Sequence, residues 1–155
     1  MQNVLSGKRV LITAPVRHPL CHIPSRSQMN STEMQALVER YIGAYNLMDI
    51  AEMLLTVHSD VEFKNISGGI VNASTSGIAE FQALAERSLT LFSERHQDIL
   101  SFETTGTRAV ASIGFRAVVA HDLPNGLKKG QVLALSGRSE FEFLGGLISK
   151  ITDIS

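Results

Sequence analysis

Two titratable side chains stand at the ends of apolar stretches in the last third of this chain, Asp153 and His121. Asp153 follows Leu147 and Ile151 at even spacing, so the three residues share one face of a predicted strand. A carboxyl group among apolar neighbours has a raised pKa and can act as a general acid or base. The alternative is that Asp153 lies at a frayed strand end, where it is solvated or caps a neighbour.

His121 ends the apolar face of an earlier predicted strand. Its imidazole could take or give a proton near neutral pH, which makes it a second candidate for acid–base chemistry. It also directly precedes a polar loop that contains proline and glycine, where a histidine is ordinarily exposed. Both interpretations of His121 are open at this point.

Polar residues of other predicted elements could orient a ligand beside these groups. Tyr41 and Tyr45 lie one turn apart on the apolar stripe of a predicted helix, either as core residues or with their hydroxyl groups in a pocket. Asn65 and Ser139 lie on predicted strands and could donate to a carbonyl or satisfy backbone groups. The aromatic residues predicted to contact the ligand are Phe63, Phe115 and Phe141.

Long strands dominate the C-terminal third, and period-two alternation predicts them over residues 108–121, 132–143 and 147–154. Before them, Thr32 and Gln35 have capping-box spacing at the start of a first helix, and Asp49 begins a short second one. A strand over residues 61–65, a third helix after Gly77 and a strand over residues 99–105 complete the order.

This order of elements predicts an α+β fold. The expected architecture is a cone-shaped, curved antiparallel sheet with about three N-terminal helices packed on its concave face, a cystatin-like α+β barrel. A pocket should open at the wide end of the cone. Apolar residues on the outer face, such as Val110 and Val132, predict a homodimer through that face.

Composition narrows the possible partners and compartments. Four of the 14 basic residues precede the first acid, Glu33, so residues 29–155 carry ten basic and 15 acidic side chains, a net charge of −5. Nucleic acid is therefore not expected as a partner. The single cysteine, Cys21, suits a reducing compartment and predicts a cytoplasmic location. No apolar run is long enough to span a membrane.

Residues 1–28 differ in composition from the rest of the chain. They are basic, contain no acid, and include three prolines without helical periodicity. We expect a disordered extension before a single domain over residues 29–155, with a targeting segment as the alternative. His18, Cys21 and His22 lack a second set of paired ligands, and no phosphate-binding loop occurs, so neither a metal nor another cofactor is expected.

Several segments together resemble the nuclear transport factor 2-like superfamily and, within it, its SnoaL-like branch of polyketide cyclases and ketosteroid isomerases. The segments are LVERYIGAYN (37–46), HSDVEF (58–63), GIAEF (77–81), GRSEFEF (137–143) and LISKITD (147–153). The resemblance covers residues 34–155 and implies the cone-shaped fold. It does not imply one reaction, because this superfamily contains isomerases, cyclases, dehydratases, hydrolases and binding proteins.

The resemblance also implies roles for individual residues. Tyr41 matches the tyrosine that donates to the oxyanion in ketosteroid isomerases. Asn65 stands at the position of their catalytic aspartate, and Ser139 at that of their second, acidic donor, so that steroid mechanism is not expected here. The acid and base of the SnoaL-type cyclases have Asp153 and His121 as candidates.

Two functions follow as hypotheses. The first is a cofactor-independent isomerase, cyclase or dehydratase that acts by general acid–base chemistry on a small, apolar, carbonyl-bearing molecule. The second is a non-catalytic ligand-binding or dimeric assembly protein of the same fold.

Overall fold

The computed structural model of the protein describes residues 28–155. Apart from Gln28, the extension expected at residues 1–28 lies outside this range, and so do His18, Cys21 and His22. Within the described range, three helices and six strands form one curved layer of sheet with helices on one side. The elements are α1 (Ser31–Asn46), α2 (Ile50–Leu55), β1 (Val57–Ser67), β2 (Ile70–Ser76), α3 (Ile78–Ser88), β3 (Phe92–Thr105), β4 (Arg108–Val119), β5 (Val132–Leu144) and β6 (Leu147–Ile154).

The strands form one sheet in the order β2-β1-β6-β5-β4-β3. Four of the five neighbouring pairs are antiparallel, as expected, whereas β1 and β6 pair in parallel. The edge strands β2 and β3 do not meet, so the sheet is curved but not closed. The predicted α+β class and cone-shaped architecture are confirmed. The parallel pair brings the first strand beside the last.

The cap of the first helix lies two residues before its predicted position. Asn30 accepts a hydrogen bond from the backbone N–H of Glu33, and the Glu33 side chain accepts one from the backbone N–H of Asn30. This is a reciprocal capping box, which satisfies two N–H groups at the helix start. The prediction of Thr32 and Gln35 as the capping pair was therefore wrong. Asp49 caps α2 as predicted.

Two strands, β1 and β3, are longer than the sequence pattern indicated, and one strand, β2, is additional. β1 extends over eleven residues, and the turn at Gly68 and Gly69 leads into β2, a strand that was not predicted. Both glycines have positive φ, which a tight hairpin turn requires. β3 begins at Phe92 rather than at residue 99, because α3 already ends at Ser88.

The core lies between the helices and the concave face of the sheet. α1 packs on β3 and β6, and α3 packs on β1 and β2. A bulge where β5 pairs with β6 shifts the register, so that Ile148 rather than Leu147 joins Ile151 in the core. No helix in the described part of the chain is long and apolar enough to cross a membrane.

Candidate functional site

A row of polar residues crosses the concave face where three strands lie side by side. Asn65 of β1 is the register partner of Asp153 of β6. Asp153 is in turn the partner of Ser139 of β5. The parallel β1–β6 pair therefore places Asn65 beside Asp153, and the antiparallel β5–β6 pair adds Ser139 on the other side.

The Asp153 carboxyl group is the chemical centre of this row. Ser139 is only 5% exposed, and its hydroxyl donates to Oδ1 of Asp153 over 2.6 Å. Burial raises the pKa of Asp153 to about 6, and the hydrogen bond from Ser139 opposes that rise. A carboxyl group with this pKa exchanges its proton near neutral pH, as a general acid or base must.

The second oxygen of this carboxyl group is available to a ligand. Within residues 28–155 no hydrogen bond reaches Oδ2 of Asp153. Asp153 lines two adjoining cavities that are both open to solvent: one of about 220 Å³ under the helices, here called the inner cavity, and one of about 460 Å³ lined mainly by strands and loops, here called the outer cavity. The side chain is thus surrounded by protein but accessible from both cavities.

Tyr41 supplies a neutral hydroxyl group to the inner cavity. Its side chain is 7% exposed and lines that cavity, and no hydrogen bond to its hydroxyl is found in the described part of the chain. Burial raises the pKa of Tyr41 well above its usual value, and the nearby Asp153 adds to this effect. The phenol therefore keeps its proton at neutral pH and can donate a hydrogen bond to a ligand.

Tyr45, one turn further along α1, lines both cavities. Its ring packs against the guanidinium group of Arg95, whose central carbon lies 3.8 Å from the ring centroid. Burial raises the pKa of the Tyr45 phenol, and the positive charge of Arg95 opposes the rise. The tyrosine is thereby held in place as a second neutral hydroxyl group.

Arg95 was not identified from the sequence, and its burial has a structural explanation. It is 5% exposed, and its Nε donates to the backbone oxygen of Tyr45 while Nη1 donates to Oγ of Ser88. These contacts place the cation at the C-terminal ends of α1 and α3, where the helix dipoles favour positive charge. Arg95 therefore fixes both helix ends beside the cavities.

Gln97 is a further lining residue that the sequence analysis missed. It borders both cavities, and its backbone is fixed by two hydrogen bonds to the side chain of Asn46, of 2.8 and 3.0 Å. Had β3 been predicted to begin at Phe92, alternation would have placed Arg95 and Gln97 on the same face as Ile99. The signal was present, but the strand was predicted to begin only at residue 99.

Asn65 also lines both cavities, as predicted from its position on β1. Its side-chain amide donates to Oδ1 of Asn72 on the neighbouring strand β2 over 2.7 Å. This contact uses the side-chain N–H of Asn65 and fixes the orientation of its amide group.

The three predicted aromatic contacts have different positions. Phe63 lines the inner cavity, and Phe115 lines the outer one, where it packs edge-on against Phe92. Phe141 lines neither cavity. It is 1% exposed and packs edge-on against the ring of Tyr41, so the structure places it in the core beneath the site.

His121 does not reach the candidate site. β4 ends at Val119, and the chain then leaves the sheet, so His121 is exposed and borders neither cavity. The structure consequently does not bring Asp153 and His121 together. Among the described residues that line the two cavities, Asp153 is the one with a carboxyl or imidazole side chain.

Comparisons with known proteins agree with the fold. The family model of the SnoaL-like domain matches residues 38–151. Comparison with curated proteins gives no match. A proposed polyketide cyclase from Xanthomonas campestris is 25% identical, with a TM-score of 0.66 over 82% of this chain and 93% of its own.

Two further solved structures show the same fold at lower identity. A proposed SnoaL-like polyketide cyclase from Jannaschia is 12% identical and covers 90% of either chain, with a TM-score of 0.68. An epoxide hydrolase from M. tuberculosis is 16% identical and covers 80% of this chain and 83% of its own, with a TM-score of 0.65. Proteins with different names for their reactions therefore share this architecture.

Proposed function

The chain belongs to the SnoaL-like domain family, and from this premise we propose that it is a cofactor-independent enzyme that moves a proton on an apolar carbonyl compound. The observation that carries the proposal is Asp153, a carboxyl group whose pKa is raised to about 6. It faces two cavities that each have an apolar wall, with one oxygen free of hydrogen bonds among the described residues.

The roles of the neighbouring residues follow from their protonation. The Asp153 carboxylate takes a proton from the carbon next to the carbonyl group, and the electron pair moves onto the carbonyl oxygen. A neutral tyrosine, Tyr41 or Tyr45, stabilises the resulting enolate by donating a hydrogen bond to that oxygen. Asn65 adds an amide group on the neighbouring strand, because it is the register partner of Asp153.

A single acid–base group favours one kind of reaction among the candidates. Cyclases and dehydratases that use a separate acid and base need two such groups, whereas His121 lies outside the site. A proton shift needs only one, because the same carboxyl group can remove a proton from one carbon atom and return it to another. We therefore favour an isomerase-type enolisation with Asp153 as the proton carrier.

The proposal is tested with an enolisable bicyclic ketone, 2-tetralone, in D₂O. The protein should accelerate exchange of the acidic hydrogen next to the carbonyl group, measured by ¹H NMR. Because the carboxylate is the base, the protein-dependent rate should rise with pH through about 6 and then level off. Exchange no faster than in buffer, together with a ¹³C titration of Asp153 at its ordinary pKa, would exclude this function.

The same site also supports a second candidate, ligand binding without chemistry. A lone carboxyl group held by Ser139 can serve as a hydrogen-bonding partner that recognises a ligand and does not react with it. Saturable binding of ketones without any protein-dependent exchange would support this candidate.

We also propose that the protein is a homodimer. On the sheet face opposite the helices, Val110 and Val132 are 38% and 49% exposed. The same face carries arginines and glutamates side by side, including the pair Arg108 and Glu142, so a second copy could match opposite charges. Sedimentation equilibrium at micromolar concentration should give a dimer mass, and a monomer mass alone would contradict the proposal.

A further inference from the structure

The two cavities meet at four polar side chains that belong to four different elements. Tyr45 of α1, Asn65 of β1, Gln97 of β3 and Asp153 of β6 line both the inner and the outer cavity. We refer to these four residues as the polar ring. The polar ring therefore marks the place where the two cavities adjoin.

The inner cavity is largely apolar beyond the ring, and aromatic side chains form part of its wall. The rings of Phe63 and Phe81 pack at 5.9 Å, and Tyr41 packs against Phe81 at 6.5 Å. The remaining apolar lining consists of Met53, Ala73, Leu84 and Ala85.

The outer cavity has a second apolar wall, which comes from different elements. Phe92 and Phe115 pack edge-on at 5.9 Å and form its aromatic part. Its other apolar side chains are Leu91, Ile113, Leu133, Leu135 and Ile154, and its polar lining beyond the ring includes Ser67, Asn72, Asn125, Ser136, Arg138 and Ser139.

The volumes decide how much of a ligand each cavity can hold. An engineered cavity of about 150 Å³ in another protein binds benzene, so the inner cavity of about 220 Å³ has room for one ring. Pockets for drug-sized ligands typically span about 300–1,000 Å³, which the inner cavity alone does not reach. With the outer cavity of about 460 Å³ added, the space falls within that range.

We infer that the ligand is an elongated molecule with two apolar ends joined by a carbonyl or enol group, with one end in each cavity and the polar group at the polar ring. This inference rests on the proposed function for the identity of the central group. It places the reacting atoms in the middle of the molecule, because Asp153 borders both cavities and lies at neither far end.

Two diketones that differ in one end test this arrangement. Dibenzoylmethane has a phenyl ring on either side of a central 1,3-diketone, and benzoylacetone has a methyl group in place of one ring. Isothermal titration calorimetry should give at least tenfold tighter binding of dibenzoylmethane to the full chain, because only this probe fills both cavities.

Variants that fill one cavity should remove this preference. Ala73→Phe places a ring in the inner cavity, and Leu133→Trp enlarges a side chain in the outer one. Each variant should bind dibenzoylmethane at least tenfold more weakly than the wild-type protein does. Its affinity for benzoylacetone should change less than threefold, since the single ring of this probe can use the remaining cavity. The matched controls Ala79→Phe and Leu144→Trp alter exposed residues outside both cavities and should leave both probes unaffected.

The outcomes separate this inference from the proposed function. Equal affinity for the two diketones, no measurable binding of either, or equal losses in the filled variants and their controls would overturn the inference. If hydrogen exchange of the ketone still depended on Asp153 in that case, the proposed function would stand although the two-ended ligand was rejected. The expected binding pattern without any exchange would keep the two-ended ligand and reject the proposed enolisation. Circular dichroism of every variant verifies that it is folded.

Discussion

Two neighbouring rows of residues on the concave face of the same four strands have opposite characters. The first row is apolar and consists of Phe63, Ile151, Phe141 and Ala109, and the second consists of Asn65, Asp153, Ser139 and Ala111. The rows are two residues apart along each strand, a distance of about 7 Å.

The helix above the two rows explains the difference. Tyr41 packs on Phe141 in the apolar row, whereas Tyr45, one turn further along α1, lines the cavities beside the polar row. Ile151 and Phe141 are each 1% exposed, and Asp153 remains accessible. The site therefore begins where close packing between helix and sheet ends. Its residues belong to the same helices and strands that form the core.

The largest effect is expected from Asp153→Asn, which removes the proton carrier of the polar row. Amide and carboxyl groups have nearly the same shape, so affinity for dibenzoylmethane should change less than about threefold. Loss of a general acid or base typically costs roughly a hundred- to ten-thousandfold in rate. Exchange of 2-tetralone should fall by that factor. The matched variant Asp98→Asn changes an exposed carboxyl group of β3 and should catalyse the exchange at the wild-type rate. An Asp153→Asn protein that still catalysed the exchange would exclude Asp153 as the base.

The apolar row should carry stability rather than chemistry. Phe141→Ala removes a fully buried ring, and substitutions of this kind typically cost about 3–5 kcal/mol in the free energy of unfolding. Urea unfolding measures this loss. Met34→Leu keeps most of the volume at another buried position and should cost less than about 1.5 kcal/mol. A loss below about 1 kcal/mol for Phe141→Ala would show that the apolar row is not tightly packed.

The polar row should lower stability at neutral pH through Asp153. Its pKa is about 6 in the folded protein and about 3.9 in an unfolded chain, so between these values the native state binds more protons. Stability from this group is then greatest below pH 4 and is lost as pH rises through about 6. Asp153→Asn lacks this loss and should be more stable than wild type by about 3 kcal/mol at pH 8, but not at pH 4. Unfolding curves at both pH values that show no such divergence would contradict the raised pKa.

The smallest effect is expected from Ser139→Ala. Without the hydroxyl donor the pKa of Asp153 should rise further, and the exchange profile should move to higher pH. Loss of the hydrogen bond should cost about 1 kcal/mol of stability. Ser139→Thr retains a hydroxyl group and should restore the wild-type profile. A profile that does not move in Ser139→Ala would indicate that this hydrogen bond does not tune the acid.

Local patterns were sufficient for the fold class and for part of the site. Alternation placed Phe141 and Asp153 on the apolar faces of their strands, and three- and four-residue spacing placed Tyr41 and Tyr45 on one side of α1. These predictions succeeded because the face that a side chain occupies depends only on the period of its own element.

Predictions at the ends of elements were less successful. Gln97 was missed because β3 begins seven residues before its most apolar part, and His121 was expected on a strand that ends at Val119. Strand ends depend on whether a neighbouring strand continues to pair, which the residues themselves do not specify.

The sequence by itself determined that Asp153 shares a strand face with Ile151, and it left open whether the carboxyl group points inward or is solvated at the strand end. Only the tertiary structure decided which groups lie beside that carboxyl. Asn65 is 88 residues away in the chain, and it reaches Asp153 because β1 pairs in parallel with β6. The physical reason is that register and pairing partner are set by contacts between distant strands, whereas the face of each strand is set by its own alternation.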